Sequence, residues 1–259
     1  MKLLALGDVV SDGGCMAITA MLPKIKREYG IDVCIANGEN SACGNGILPD
    51  SAEALISAGV DLITTGNHVF RRREFHDYID EHDYVIRPYN MHPSCPGKGV
   101  GVLDMGRYRV GVINLIGSAF FNANYANPFD SLDRAIDEIS DCKIKIVDFH
   151  AEATGEKRAL GLYADGRVSA FFGTHTHVRT ADAQILPNGT GYITDLGMCG
   201  SETSVLGIEP EIIIRSLKTG MPSVFKAKET DIAINGCIFE INEKSGLTEK
   251  IHSVILREL

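Results

Sequence analysis

Five short apolar runs in this 259-residue chain end in side chains that can ligate a metal: LLALGD, VCIANGEN, LITTGNH, IKIVDFH and SAFFGTHTH. Each run reads as a buried strand, and open α/β sheets build their sites just past the carboxyl ends of such strands. The repetition predicts that Asp8, Glu39, Asn67, His150, His175 and His177 converge on one sheet edge, with Asn40 and His68 beside them. All these donors are carboxylate, amide or imidazole, and none is thiolate, which favours iron, manganese or zinc. Six or more ligands exceed what one catalytic ion takes and suit a two-metal hydrolytic centre. His175-Thr176-His177 is the sharpest local signal, because residues two apart point the same way in an extended segment and reach neighbouring ions. A lone histidine is usually structural, and His76, His82, His92 and His252 are read that way.

The elements that must position these residues follow from periodicity. Strands are expected at residues 3–6, 33–36 and 61–65, about one βαβ unit apart, hence parallel. A glycine-bearing loop should follow the first, then a helix carrying Ile18, Met21, Leu22 and Ile25, which Pro23 should kink or split. Asp50 is the expected cap of a short helix, Arg71-Arg72-Arg73 open a charged one to residue 81, and Asp130 or Ser131 caps one through Leu132, Ala135, Ile136 and Ile139. Residues 99–105 with 109–116, and 233–241 with 250–256, read as hairpins. Mixed strands with interspersed helices give the expected α/β class: two mixed β-sheets packed face to face and flanked by helices, four layers in one domain over residues 1–259. The aromatic, Asn-rich segment 120–129 reads as a surface loop near a site, an oligomer contact, or an ordinary connection.

Composition narrows the partners. A formal net charge of -9 and a pI near 5.4 give no general attraction to a polyanion. Arg71, Arg72 and Arg73 are offset by Glu74, Asp77, Asp80 and Glu81, which reads as a solvated helix face rather than a nucleic-acid patch. Small molecules are the expected ligands, with a homo-oligomer as the expected assembly and neither a nucleic-acid polymer nor a membrane as partner. Seven scattered cysteines with no C-x-x-C suit a reducing compartment, with Cys34 and Cys142 as small buried hydrophobes. The amino terminus lacks a signal-peptide core and no run reaches membrane-span length, so the cytoplasm is the expected location.

The motifs Gly7-Asp8, Gly38-Glu39-Asn40, Gly66-Asn67-His68, His150 and Gly173-Thr174-His175-Thr176-His177 together resemble the calcineurin-like metallophosphoesterases, departing where Val10 and Glu39 replace a His and an Asp. Those departures, with the strings NGENSACGNGI, TTGNHVF, DFHAEATGEKRALG and GTHTHVRTADAQILPNGTGYITDLGM, resemble the bacterial 2′,3′-cyclic-nucleotide 2′-phosphodiesterases along nearly the whole chain. The resemblance implies a metal-dependent phosphodiesterase with a small cyclic-nucleotide or other phosphoester substrate and two metal ions, iron foremost. It implies Glu39 bridging both ions, Asp8, His177 and Asn40 on the first, and Asn67, His150 and His175 on the second. His68 would act as general acid toward the departing ribose oxygen. Rival readings are a broader phosphatase, a 3′,5′-cyclic-nucleotide phosphodiesterase, a metal-loaded nucleotide-binding regulator, and, least favoured by the acidic surface, a nuclease.

Overall fold

The computed structural model describes residues 1–257, so the last two residues of the expected domain lie outside the described residues. The amino-terminal half is β1 (Lys2–Val10), α1 (Ser11–Tyr29), β2 (Val33–Asn40), α2 (Pro49–Ala58), β3 (Leu62–Thr64) and α3 (Glu74–Glu81). A hairpin of β4 (Val100–Asp104) and β5 (Arg109–Ile116) leads to α4 (Pro128–Glu138), β6 (Ile144–His150), α5 (Thr154–Ala164) and β7 (Ala170–Thr174). The chain closes with β8 (Gln184–Ile185), β9 (Gly191–Ile193), β10 (Met198–Ser201), α6 (Pro210–Thr219), β11 (Ile232–Ile241) and β12 (Thr248–Arg257).

Two six-stranded mixed sheets result, ordered β12-β11-β10-β1-β2-β3 and β4-β5-β6-β7-β9-β8. Period-two alternation assigns each side chain its layer. In β1, Leu3 and Ala5 join the core between the sheets, whereas Leu4 and Leu6 join the core under α1 and α2. In β6, Ile144 and Ile146 face the other sheet, while Val147 and Phe149 pack beneath α4 and α5. This is the expected four-layer arrangement. The strands β1, β2 and β3 run parallel in one sheet, and β5, β6, β7 and β9 run parallel in the other.

Local readings needed correction where tertiary contacts outweigh propensity. No loop follows β1: Ser11, at φ 59°, turns the chain directly into α1. Pro23 does not split that helix, whose buried face of Ile18, Leu22 and Ile25 continues past it, so packing offsets the lost backbone bond. The cap of α2 is Leu48, not Asp50, and Ser51 Oγ accepts from the Leu48 N–H. Asn127, not Asp130 or Ser131, caps α4, its Oδ1 accepting from the Phe129 and Asp130 N–H groups. The helix expected from Arg71 begins only at Glu74. The seven cysteines are free, with Cys34 and Cys142 buried as expected. No helix among the described residues is long and apolar enough to cross a membrane.

Candidate metal centre

The parallel strands of both sheets end on one edge, and every candidate residue sits there. Asp8 lies near the end of β1, Glu39 and Asn40 end β2, Asn67 and His68 follow β3, His150 ends β6, and His175 and His177 follow β7. Asp8, Glu39 and His150 are fully buried. The histidine pair is not extended as expected. His175 and His177 take φ of 98° and 62°, and this left-handed path, rather than strand alternation, sends the two rings to different partners. Asp8 helps fix the path by accepting from the His175 N–H at 2.9 Å.

Three imidazoles are tied outward and left open inward. His150 Nδ1 lies 3.0 Å from Thr174 Oγ1, which itself donates to Asp148 at 2.7 Å, so the hydroxyl accepts and Nδ1 carries the proton. His175 Nε2 lies 3.2 Å from the Glu152 carboxylate, and His177 Nδ1 donates to the Leu206 carbonyl at 3.1 Å. The hydrogen bonds of His150 and His177, and the Glu152 carboxylate facing His175 Nε2, favour a lone pair directed at the cluster on the other nitrogen of each ring, the tautomer that metal-bound histidines adopt. His150 Nε2 then meets Asn67 Oδ1 at 3.0 Å, His175 Nδ1 at 3.0 Å and Glu39 Oε1 at 2.9 Å. One nitrogen cannot donate to three partners. Glu39 Oε1, despite that approach, and Asp8 Oδ1 are buried with no hydrogen-bond partner among the described residues. Orphaned carboxylate oxygens among inward lone pairs fit a cation, and Glu39, His150 and His175, with ligand atoms within 4.8 Å of one another, form a compact group able to hold one. Asp8, His177 and Asn40 make a looser set beside it, with His177 Nε2 at 3.7 Å from Asp8 Oδ1 and 3.2 Å from Asn40 Nδ2.

The electrostatics tell the same story in protons. Burial alone would raise Glu39, but the rings of His150 and His68 outweigh it and hold its carboxyl down at about 2. Burial would lower His150, yet Glu39 and Asp8 raise it to about 9. Burial, reinforced by the neighbouring His150, depresses His175 to about 3. Without a cation, the buried carboxylates thus recruit a proton onto His150, whose place a cation would take. Asp8 is raised by burial. His68 is not part of the compact group. Its N–H donates to Glu39 Oε2 at 2.8 Å, its Nδ1 lies 2.9 Å from Asn40 Oδ1, and its ring faces an open cleft.

That cleft, about 800 Å³, exposes residues that spacing alone did not reveal. Arg71 and Arg72 line it, which corrects the reading of a solvated helix face. Arg72 is committed to the Ala42 and Asn45 carbonyls, whereas the Arg71 side chain makes no ion pair or hydrogen bond among the described residues. Glu152, Asp148 and Thr174, which fix the ring tautomers, also carry no local signal beyond their closeness to His150 and His175. The Phe121 ring lies 5.0 Å from the His175 ring at a tilt of 54°, placing segment 120–129 beside the site.

Two mixed sheets between helices, with such a cluster on their shared strand edge, define the metallophosphoesterase fold. Within that class the chain belongs to the YmdB-like protein family, whose model matches residues 4–254. It is 40% identical to the 2′,3′-cyclic-nucleotide 2′-phosphodiesterase of Bacillus subtilis over 100% of this chain and 98% of that one. It is 37% identical to a putative phosphatase/phosphodiesterase of Mycoplasma genitalium, over 98% and 92% of the two chains. A crystal structure of a phosphatase from Mycoplasma pneumoniae superposes with a TM-score of 0.94 at 36% identity, covering 99% of this chain and 93% of that one.

Proposed function

We propose that the chain is a dinuclear-metal phosphodiesterase, one domain over residues 1–259, that opens 2′,3′-cyclic nucleotides to nucleoside 3′-monophosphates. The observation that carries the reading is the convergence of inward imidazole lone pairs and two orphaned carboxylate oxygens on the cleft floor. The name of the Bacillus subtilis relative supports the substrate class. Glu39 is assigned to both ions, Asp8, Asn40 and His177 to the first, and Asn67, His150 and His175 to the second. Bound iron, manganese or zinc ions would supply Lewis acidity to the phosphoryl oxygens and lower the pKa of water. Only two of the assigned ligands are carboxylates, so the loaded site keeps a positive charge that draws phosphate into an acidic protein. Arg71, on the cleft wall and without a side-chain partner among the described residues, adds to that attraction.

His68 delivers a proton to the departing 2′ oxygen. Asn40 decides which ring nitrogen holds that proton. With its oxygen toward His68, it takes the Nδ1 proton. A half-turn of the amide aims the oxygen toward the His177 side and an N–H at His68 Nδ1, leaving Nε2–H for the cleft. Asn40 would take that second orientation when it joins Asp8 and His177 in holding a cation, because the amide oxygen is its only ligand atom.

Phosphorus NMR of products tests the reading: 2′,3′-cyclic AMP should give 3′-AMP. Faster turnover of 3′,5′-cyclic AMP would instead favour the broader phosphodiesterase that the Mycoplasma relative's name suggests. Binding with turnover far slower than dissociation would favour the regulator. Anomalous scattering at metal edges counts and identifies the ions. A cytoplasmic location and a homo-oligomer complete the proposal. The exposed Leu217 and Val224, 82% and 91% accessible, support contact between copies.

A further inference from the structure

The cleft is far larger than a phosphoryl group, and its outer wall is built differently from its floor. Residues 205–209 fold against 226–228 as a short ribbon, with Ile208 bridging Ala227, Glu209 N–H donating to the Lys226 carbonyl at 3.0 Å and Lys228 N–H donating to the Gly207 carbonyl at 2.9 Å. An ion pair of Lys228 with Glu209 at 3.5 Å clasps the same two segments. The ribbon is fixed to the metal cluster itself, because the Leu206 carbonyl is the acceptor for His177 Nδ1. Phe225, directly before the ribbon's returning segment, lines the cleft together with Glu39, His68, Arg71 and His177. Phe225 is 62% exposed and belongs to none of the three hydrophobic cores. A ring that contributes so little to packing, on a frame tied to the site, is placed for a ligand.

We infer that Phe225 is the stacking platform of a nucleobase subsite, a step that rests on the proposed cyclic-nucleotide activity and names the group recognised beyond the phosphate. Stacking suits this wall. Beside Phe225 it offers the apolar side chains of Leu206, Ile208 and Ala227 and a single hydroxyl, Ser223, too little to read a base edge, whereas every base has a π face. The subsite therefore ranks bases by stacking area, purines above pyrimidines, and separates nucleotides from base-free cyclic phosphodiesters.

Two measurements test it. In the metal-loaded enzyme, Phe225→Ala should lower the ratio of kcat/KM for 2′,3′-cyclic AMP to that for glycerol 1,2-cyclic phosphate about tenfold or more, the scale of one lost stack, through KM. Phe225→Tyr should restore it. The chain has no tryptophan, so Phe225→Trp installs a single indole whose emission, excited selectively at about 295 nm, 3′-AMP should quench and ribose 3-phosphate should not. An unchanged ratio with no quenching overturns the subsite, as does a change in sedimentation of Phe225→Ala without a change in the ratio, which would make the ring a contact between copies. Quenching by 3′-AMP in a protein that hydrolyses neither cyclic phosphodiester supports the subsite and removes the proposed activity instead.

Discussion

Glu39 has one oxygen bonded to the His68 N–H and the other facing His150 Nε2 without a hydrogen bond, so its two halves serve different neighbours. On the proposed assignment, Glu39→Gln removes the only carboxylate shared by both cations, and an amide cannot neutralise two ions about 3.5–4 Å apart. Metal analysis should find the pair lost or reduced to one ion. Two retained ions with near-normal turnover would refute the shared role. His68→Ala should keep both ions yet lose roughly two to four orders of magnitude on a ribose 2′-oxygen leaving group. The same variant should lose much less on a nitrophenyl phosphodiester, whose leaving group needs little protonation. Equal losses on both substrates would reassign His68 to charge stabilisation.

Among the elements, the turn after β3 shows how closely the strand edge is fitted. A Cβ on Gly66 would lie 2.2 Å from Cδ2 of the His150 ring, so that strand end can approach β6 only as glycine. Gly66→Ala should displace the ring and weaken metal binding at least tenfold, read by competition with a chromophoric chelator, while circular dichroism stays native. Unchanged metal affinity would mean the ring moves aside freely. The turn after β7 depends on a different device. Lys157, fully buried on α5, pairs at 2.6 Å with Asp195, which also accepts from Thr176 N–H at 3.2 Å and Thr176 Oγ1 at 2.7 Å. Lys157→Met strands a buried carboxylate and should cost about 3–5 kcal/mol by urea unfolding. Adding Asp195→Asn should recover part of that loss, and a cost under 1 kcal/mol for the single variant would show that the pair is not needed.

At the scale of the molecule, the two sheets share a burden that neither carries alone. One presents Asp8 and Glu39 and the other presents His150, so two buried carboxylates lie where the sheets meet and need positive charge. Cations bound only by the folded chain stabilise it by mass action, about 2.7 kcal/mol at a hundredfold excess over Kd. Removing them with a chelator should therefore lower Tm by roughly 5–10 °C for a chain of this size. Scanning calorimetry with and without chelator checks this, and an unchanged Tm would argue against a buried cation site.

By itself the sequence determined which residues meet. Apolar runs of strand length, spaced about one βαβ unit apart, oblige parallel strands to deliver their last residues to one edge, so Asp8, Glu39, Asn67 and His150 were legible from pattern alone. The layering was legible for the same reason, since alternating burial fixes which face of a strand is core. Only the tertiary structure decided how those residues are held. Helix caps moved to Leu48 and Asn127, and Pro23 stayed within α1, because packing outweighs local propensity. The left-handed path of His175 and His177, the outward ties to Glu152, Thr174 and Leu206, and the entry of Arg71 and Phe225 into the cleft involve partners far apart in sequence. No local period encodes such contacts, because they arise only when separate strand ends and loops are brought within a few ångströms of each other.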